Sequence, residues 1–379
     1  MQNLNLIATT TFGLEAVVKR ELERLGVSNP KASDGRVDFT GDVTTIVRTN
    51  LWLRSSDRVL LNMGEFTAMS FDELFEKTKA LPWDDWITVD GKFTVTGKSV
   101  KSMLYSVPDC QAIVKKAVVE KLKLRHKVDW FDETGPEYKI QVAILKDVVT
   151  LTIDTTGPSL HKRGYRELAG DAPLKETLAA ALIDLSFWRR DRILLDGTCG
   201  SGTIPIEAAL MARNIAPGLN RRFSCQTWPQ IDESIWKSER KRAYEKIDYD
   251  IEPQIYGYDI DPGAIEIAKV NAAKAGVDDC ITFEALPLNK ITLPGENGVA
   301  IMNPPYGDRM ATAKEAAALY REMGELFAGD NTWSVYVITS DEDFEKQYGK
   351  KADKKRKLFN GMIKTDYYQF HGARPARKN

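Results

Sequence analysis

Histidine is scarce in this chain: His126, His161 and His371 are the three among 379 residues, and they lie far apart. A histidine-based metal site or a nucleophile–base triad therefore has little to draw on. The four cysteines, Cys110, Cys199, Cys225 and Cys280, form no Cys-x-x-Cys pair. Their scatter argues against a zinc site or a disulfide frame and fits a reducing compartment. No apolar run approaches the roughly 20 residues that cross a bilayer. Residues 1–8 lack the basic start and long apolar stretch of a signal peptide. These absences lead us to expect a cytoplasmic protein with no bound metal and no membrane association. Charge of one sign is lacking too: 53 Lys and Arg stand against 54 Asp and Glu, so no global field points to nucleic acid.

Local charge differs from the total. Between residues 92 and 127 nine cations (Lys92, Lys98, Lys101, Lys115, Lys116, Lys121, Lys123, Arg125, Lys127) face only Asp109 and Glu120. Lysines on an amphipathic helix are often no more than its solvated face, so this asymmetry alone does not name a partner.

The length suggests two or three domains. Residues 4–8 read as a strand and 12–25 as a helix that Gly26 stops. Residues 36–39 alternate like a strand, Asp42 can cap a helix running to residue 51, and 58–63 form another strand. Ser70 caps a helix over 71–79, a strand follows at 92–97, and Asp109 begins a second helix. The alternating runs 138–144 and 148–154, with Lys146-Asp147 between them, predict a hairpin. Residues 155–158 are turn-rich and mark a boundary.

Beyond that boundary strands and helices alternate. Helices are expected at 174–188, 202–211, 262–275 and 315–327. Strands are expected at 192–195, 254–258, 281–284, 299–302 and 334–338. Asn360-Gly361 between two apolar runs predicts a closing hairpin. This alternation means a doubly wound, mostly parallel sheet.

In such a sheet ligands bind beyond the carboxyl ends of the strands. The first strand is followed by Asp196-Gly197-Thr198-Cys199-Gly200-Ser201-Gly202-Thr203, a glycine-rich turn into a helix. Glycines there let the backbone approach a ligand closely. The turn carries no Gly-Lys-Ser/Thr, so a phosphate-cradling loop is not expected. The second strand ends Asp259-Ile260-Asp261-Pro262. An acid at that tip is where a ribose diol is gripped, which singles out Asp259. Asp261 reads as an N-cap with Pro262 at the first helical position.

The fourth strand ends in Met302-Asn303-Pro304-Pro305-Tyr306. Two prolines remove two backbone donors and hold their carbonyls in set orientations. An exocyclic amino group on a planar base is a poor nucleophile, because its lone pair is delocalised into the ring. Two acceptors, the Asn303 side-chain carbonyl and the Pro304 carbonyl, would hold its N–H bonds and draw it towards a tetrahedral shape. Tyr306 would stack on its flat face. This is catalysis by positioning and electrostatics, without a strong base.

The set Asp196-x-x-x-Gly200-x-Gly202, Asp259 and Asn303-Pro304-Pro305-Tyr306 resembles the S-adenosylmethionine-dependent amino-methyltransferases. Further stretches extend the likeness over essentially the whole chain: Leu160 to Arg166, Ala172 to Ala179, Asn214 to Asn220 and Lys357 to Gly361. Together they resemble the THUMP-containing large-subunit ribosomal RNA guanine-N2 methyltransferases, members of which are often labelled N6-adenine-specific DNA methylases; the alternatives are the same chemistry on an adenine N6 of RNA or DNA or on a protein glutamine amide, and a non-catalytic RNA-binding assembly factor. The resemblance implies a ferredoxin-like domain at 1–64, a THUMP RNA-binding domain at 65–155 and a Rossmann-like methyltransferase domain at 156–379. That last domain would hold a seven-stranded, mostly parallel sheet with a C-terminal antiparallel hairpin. S-adenosyl-L-methionine is the implied cofactor and 23S ribosomal RNA, or a ribosome precursor, the implied partner. The implied cofactor residues are Asp196, Thr198, Cys199, Gly200, Gly202, Thr203, Asp259, Ile260 and Asn303. Asn303, Pro304, Pro305 and Tyr306 would be catalytic. Lys98, Ser99, Lys101, Ser102, Lys115, Lys116, Arg163, Arg166 and Arg309 would contact RNA, Arg309 having pairing with Asp308 as its alternative. One departure stands out: Glu284-Ala285-Leu286-Pro287-Leu288 offers no Asp where related enzymes place one near the adenine amino group.

Overall fold

The computed structural model describes residues 3–166, 174–305 and 313–373. The chain divides into two compact units, one built from 1–10, 19–160 and 221–241, the other from 11–18, 161–220 and 242–379.

The first unit is a seven-stranded sheet covered by helices. Its strands are β1 (Leu4–Thr9), β2 (Lys31–Ser33), β3 (Arg36–Gly41), β4 (Arg58–Thr67), β5 (Lys92–Val100), β6 (Glu137–Leu145) and β7 (Val148–Asp154). Helix α1 (Glu15–Arg24) follows β1, and α2 (Val43–Trp52), α3 (Phe71–Lys79) and α4 (Val107–His126) belong to this unit. The strand order is β2-β3-β1-β4-β7-β6-β5.

Local chemistry accounts for these elements. Asp42 and Thr45 form a capping box at α2, and Ser70 accepts from the Glu73 amide to start α3. Lys146 and Asp147 both take positive φ at the β6–β7 turn, as a tight hairpin of that twist requires. α4 starts earlier than Asp109, at Val107, with Pro108 in its first turn; the Ser106 hydroxyl donates to the Asp109 carboxylate at 2.5 Å rather than capping the backbone. β4 runs longer than expected. It pairs with β1 through Arg58–Leu61 and with β7 as far as Thr67, past an irregularity between Asn62 and Gly64. The boundary placed at 64/65 thus falls inside a strand, in the part that pairs with β7 beyond its last pair with β1.

The stretch 221–241 joins this unit, although its neighbours in sequence belong to the other. Trp228 is buried, stacks on Tyr138 at 4.9 Å and meets Trp86 edge-on at 6.0 Å. Its indole N–H donates to the Glu137 carbonyl at 3.1 Å. Arg48 donates to both carboxylate oxygens of Glu239, at 3.0 and 3.1 Å. Glu239 lies on α7 (Glu233–Glu245), a helix that the sequence reading did not include.

The second unit holds α5 (Glu176–Leu185), β8 (Leu194–Asp196), α6 (Thr203–Ala212), β9 (Ile255–Asp259), α8 (Pro262–Ala275), β10 (Ile281–Ala285), β11 (Val299–Met302), α9 (Ala313–Phe327), β12 (Ser334–Thr339), α10 (Phe344–Tyr348), β13 (Lys354–Asn360) and β14 (Ile363–Phe370). The sheet order is β10-β9-β8-β11-β12-β14-β13. All neighbours are parallel except β14, which is antiparallel to both β12 and β13. This is the fold class predicted from the sequence. Both faces are buried: Leu194, Val299, Ile301, Tyr336 and Ile338 pack on one side with α5, α6 and α8. Leu195, Ala300, Met302, Val335 and Val337 pack on the other with α9 and α10. Side chains alternate across a strand, so a sheet buried twice reads as continuous apolar runs.

Candidate active site

A cavity of about 390 Å3 opens at the carboxyl ends of β8, β9 and β11. The turn after β8 forms its floor. Asp196 is buried there, and its Oδ1 accepts from the Thr198 amide at 3.1 Å. Burial, with the Asp259 carboxylate nearby, pushes the Asp196 carboxyl up to about 8. Burial also raises the Cys199 thiol well above its ordinary value, and the charge of Asp196 adds to this.

The glycines serve two different purposes. Gly200 and Gly202 both take positive φ, 52° and 81°. Around Gly200 nothing would obstruct a Cβ, whereas at Gly202 a Cβ would lie 2.9 Å from that of Ala268 and 3.0 Å from the Phe283 ring. Gly200 keeps an approach open; Gly202 lets α6 pack against α8 and β10. Asp259 ties the turn to the neighbouring strand tip. Its Oδ2 accepts from the Gly200 amide at 2.8 Å and its Oδ1 from the Asp261 amide at 3.0 Å. Asp261 in turn accepts from the Gly263 amide at 2.8 Å and caps α8, with Pro262 at its start.

Thr198, Cys199, Gly200 and Thr203 line the cavity with Asp196, as do Asp259 and Ile260. The Ile260 side chain is 76 % exposed, an apolar surface facing open space. Asn303 and Pro305 complete this wall, and Pro304 is buried behind them. Asn303 Oδ1 is buried and has no hydrogen-bond partner among the described residues. Tyr306 and Arg309 lie outside the described residues.

Other wall residues were not singled out from the sequence. Asn289 is one: the short turn Leu288–Lys290 carries it to the cavity, one residue past the stretch that lacks an Asp. Leu319 and Glu322 come from α9, and Leu174 from just before α5. The first two share a helix face, but only the fold shows which face meets the cavity.

Two expected RNA contacts are corrected. Arg163 is only 3 % exposed and pairs with Glu207, Nε to Oε1 at 3.3 Å and Nη2 to Oε2 at 3.4 Å. Tyr165 donates to the same Glu207 at 3.1 Å. A guanidinium so enclosed has no surface to offer a phosphate. Arg166 also turns inward: it donates to the Leu174 carbonyl at 3.1 Å and to Thr203 Oγ1, and its Nε stands 3.5 Å from Glu176. It braces the cavity wall. In the first unit Lys98, Lys101, Lys115 and Lys116 are exposed. Lys115 Nζ lies over the Phe93 ring and Lys116 Nζ over Phe75, at 5.7 and 5.8 Å. Ser99 and Ser102 have occupied hydroxyls: they donate to the Leu104 and Val100 carbonyls and shape the loop after β5.

An acid-bearing glycine turn, a second acid at the next strand tip and an Asn at the fourth whose Oδ1 has no partner among the described residues fit a methyl-transfer site. Residues 163–369 match the family described as the RMKL-like methyltransferase domain. The chain belongs to this family. Residues 5–60 match the RlmL ferredoxin-like domain and 68–154 the THUMP domain, so this member of the methyltransferase family carries both ahead of its catalytic fold.

YpsC of Bacillus subtilis, a candidate RNA methyltransferase, is 52 % identical over 100 % of this chain and 99 % of its own. The ribosomal RNA large subunit methyltransferase K/L of Psychromonas ingrahamii is 34 % identical over 98 % of this chain. This chain spans about half of that relative, 51 % of its length. Among solved structures, SMU.472, a candidate methyltransferase crystallised with SAH, superposes with a TM-score of 0.94 at 46 % identity, covering 99 % of this chain and 100 % of its own. No helix among the described residues is long and apolar enough to cross a membrane, and no three or more of their His, Cys, Asp and Glu side chains cluster as a metal site would require. All four cysteines are free and buried.

Proposed function

We propose that this protein transfers a methyl group from S-adenosylmethionine to the exocyclic N2 amine of a guanine in 23S ribosomal RNA. Asn303 carries the reading: a buried amide oxygen without a partner among the described residues, in the wall shared by Asp196 and Asp259. A buried acceptor left unpaired is costly and asks for a donor, which an NH2 group supplies.

The residues present fit the cofactor. The cavity volume is in the range of small-molecule sites. Asp196 would take the ammonium of the methionine part, with the backbone of the Thr198–Gly200 turn alongside. Asp259 spends one lone pair on each oxygen within the protein and retains others for a ribose diol. Ile260 would lie against the adenine ring, and Asn289, in the same cavity wall, would read its edge. S-adenosylmethionine, when bound, supplies an electrophilic methyl group whose departure leaves a neutral thioether. Asn303 Oδ1 and the Pro304 carbonyl accept the two N–H bonds of the target amine and aim its lone pair. As the new N–C bond forms, one amine proton passes to water. No residue of the site has to act as a strong base.

An RNA substrate is supported by the THUMP match and by the exposed lysines of α4. Ribosomal RNA is supported by the name of the K/L relatives. Work on that substrate would place the protein in the cytoplasm. Asn303→Ala should keep S-adenosylmethionine binding while methyl transfer falls at least about 100-fold, the scale for losing one transition-state acceptor. Turnover equal to wild type would refute the role. Mass spectrometry of nucleosides from a deletion strain should show loss of one N2-methylguanosine from 23S RNA. Loss of an N6-methyladenosine instead would move the same chemistry to adenine.

A further inference from the structure

We propose that the β13–β14 hairpin is a rigid arm of the methyltransferase unit that grips RNA beside the target base. The proposal rests on RNA being the substrate. From Lys354 to Lys364 the ribbon carries Lys354, Lys355, Arg356, Lys357 and Lys364, with no acid between them. Lys354, Lys355, Lys357 and Lys364 are exposed.

The register puts the tip at the cavity edge of the sheet. β12 runs parallel to β11, with Met302 opposite Val337, and its last pair is Thr339 with Asp366. β13 and β14 keep pairing beyond that row, Leu358 with Thr365, Phe359 with Lys364 and Asn360 with Ile363. At about 3.3 Å per residue the ribbon overhangs the end of β12 by about 10 Å. β13 is the third strand along from β11, about 14 Å away at ordinary strand spacing. The tip therefore stands a few nucleotides' width from Asn303, on the same edge.

The two loop residues are Gly361 and Met362, and Gly361 has a φ of 63°, which fits a II′ turn. Met362 is thereby held outward, 97 % exposed, with Ile363 at 44 % beside it. Lysines on an edge strand can merely block pairing with another chain. That role gives no reason for an apolar tip. Of the acids near this ribbon, Asp353 precedes the first lysine and accepts from the His371 amide, while Asp341, Glu342, Glu345 and Asp366 gather round Tyr368, all short of the tip. Glu345 is taken up by Lys355 at 2.7 Å, and Asp366 faces Lys357 across the ladder. The arm is braced where Phe12 meets Phe359 edge-on at 6.2 Å, and where Gly13 passes so near that a Cβ would lie 3.0 Å from the Lys357 carbonyl.

A methylated amine must leave its stack to enter a cavity, and proteins that unstack bases hold the neighbours with apolar wedges and phosphate contacts. Met362 would pack against an unstacked base next to the target, while Lys357 and Lys364 neutralise flanking phosphates. An unmodified 23S ribosomal RNA transcript is the probe. The double variant K357A/K364A should bind it with a salt slope shallower by about 1.4–1.8, the loss of two phosphate contacts. M362A should leave that slope unchanged and lower methylation kcat/KM at least fivefold. Both should bind S-adenosylhomocysteine as wild type does, which separates a lost arm from a damaged fold. Variants that bind and methylate like wild type would overturn the arm alone. If the protein binds the transcript without methylating guanine, the guanine assignment fails and the slope still decides the arm. A protein with no affinity for the transcript overturns both.

Discussion

Asp196 carries the sharpest consequence at the scale of one residue. Its carboxyl is raised to about 8 by burial, so at neutral pH it holds a proton in the unliganded protein. An acid raised above its unfolded value contributes stability in its protonated form. The unliganded fold should therefore lose stability as pH climbs from the ordinary carboxylate range towards 8. A ligand ammonium reverses the preference and expels the proton. Affinity for S-adenosylmethionine should rise as pH approaches 8, by at most about tenfold per unit, and level off above. Calorimetry across this range checks the sign, and Asp196→Asn should flatten the profile. The residue types of this site were legible: Asp259 from a strand tip, Asn303 from the chemistry of its motif after the fourth strand, and Asp196 from the family resemblance; all three line one cavity. Arg163 and Arg166 were misread because charge is visible in a sequence and burial is not. Their partners Glu207 and Glu176 come from helices that only folding brings alongside.

At the scale of the element, the turn into α6 separates two glycines by what surrounds them. Gly202→Ala combines a positive φ with a Cβ 2.9 Å from Ala268, and should lower stability by about 1–3 kcal/mol in urea unfolding. Gly200→Ala meets no neighbour and bears only the left-handed φ, so about 1–2 kcal/mol is expected. Equal losses would mean that the packing of α6 on α8 does not matter. Caps and hairpins were readable because their chemistry is local: Asp42, Ser70 and Asp261 cap the helices expected of them. The final turn shows the limit of local signals. Asn360-Gly361 announced a hairpin, but the register centres it on Gly361-Met362, so a methionine occupies the tip. α7 escaped notice because its buried side, with Trp236 and Glu239, packs on a surface remote in sequence.

For the whole molecule, the stretch 221–241 interrupts the family-matched segment and completes the core of the other unit. Trp228→Ala should cost about 3–5 kcal/mol, the usual loss for a buried aromatic. Deuterium uptake should rise at residues 137–140, beside Trp228, and stay unchanged in the cavity turn 196–203. Uptake rising first in that turn would mean that Trp228 supports the cavity instead.

Read alone, the chain sufficed for the doubly wound sheet, for most of its elements, though not β2, α7 or α10, and for the acceptor-bearing strand tips. Each of these follows from spacing within a few residues and from the rule that ligands meet the carboxyl ends of parallel strands. Tertiary structure alone decided that Asn289 joins the cavity, that Arg163 and Arg166 face inward, and that a tryptophan from the second half of the chain closes the first unit. These depend on burial and on contacts between residues far apart along the chain, which composition and period do not encode.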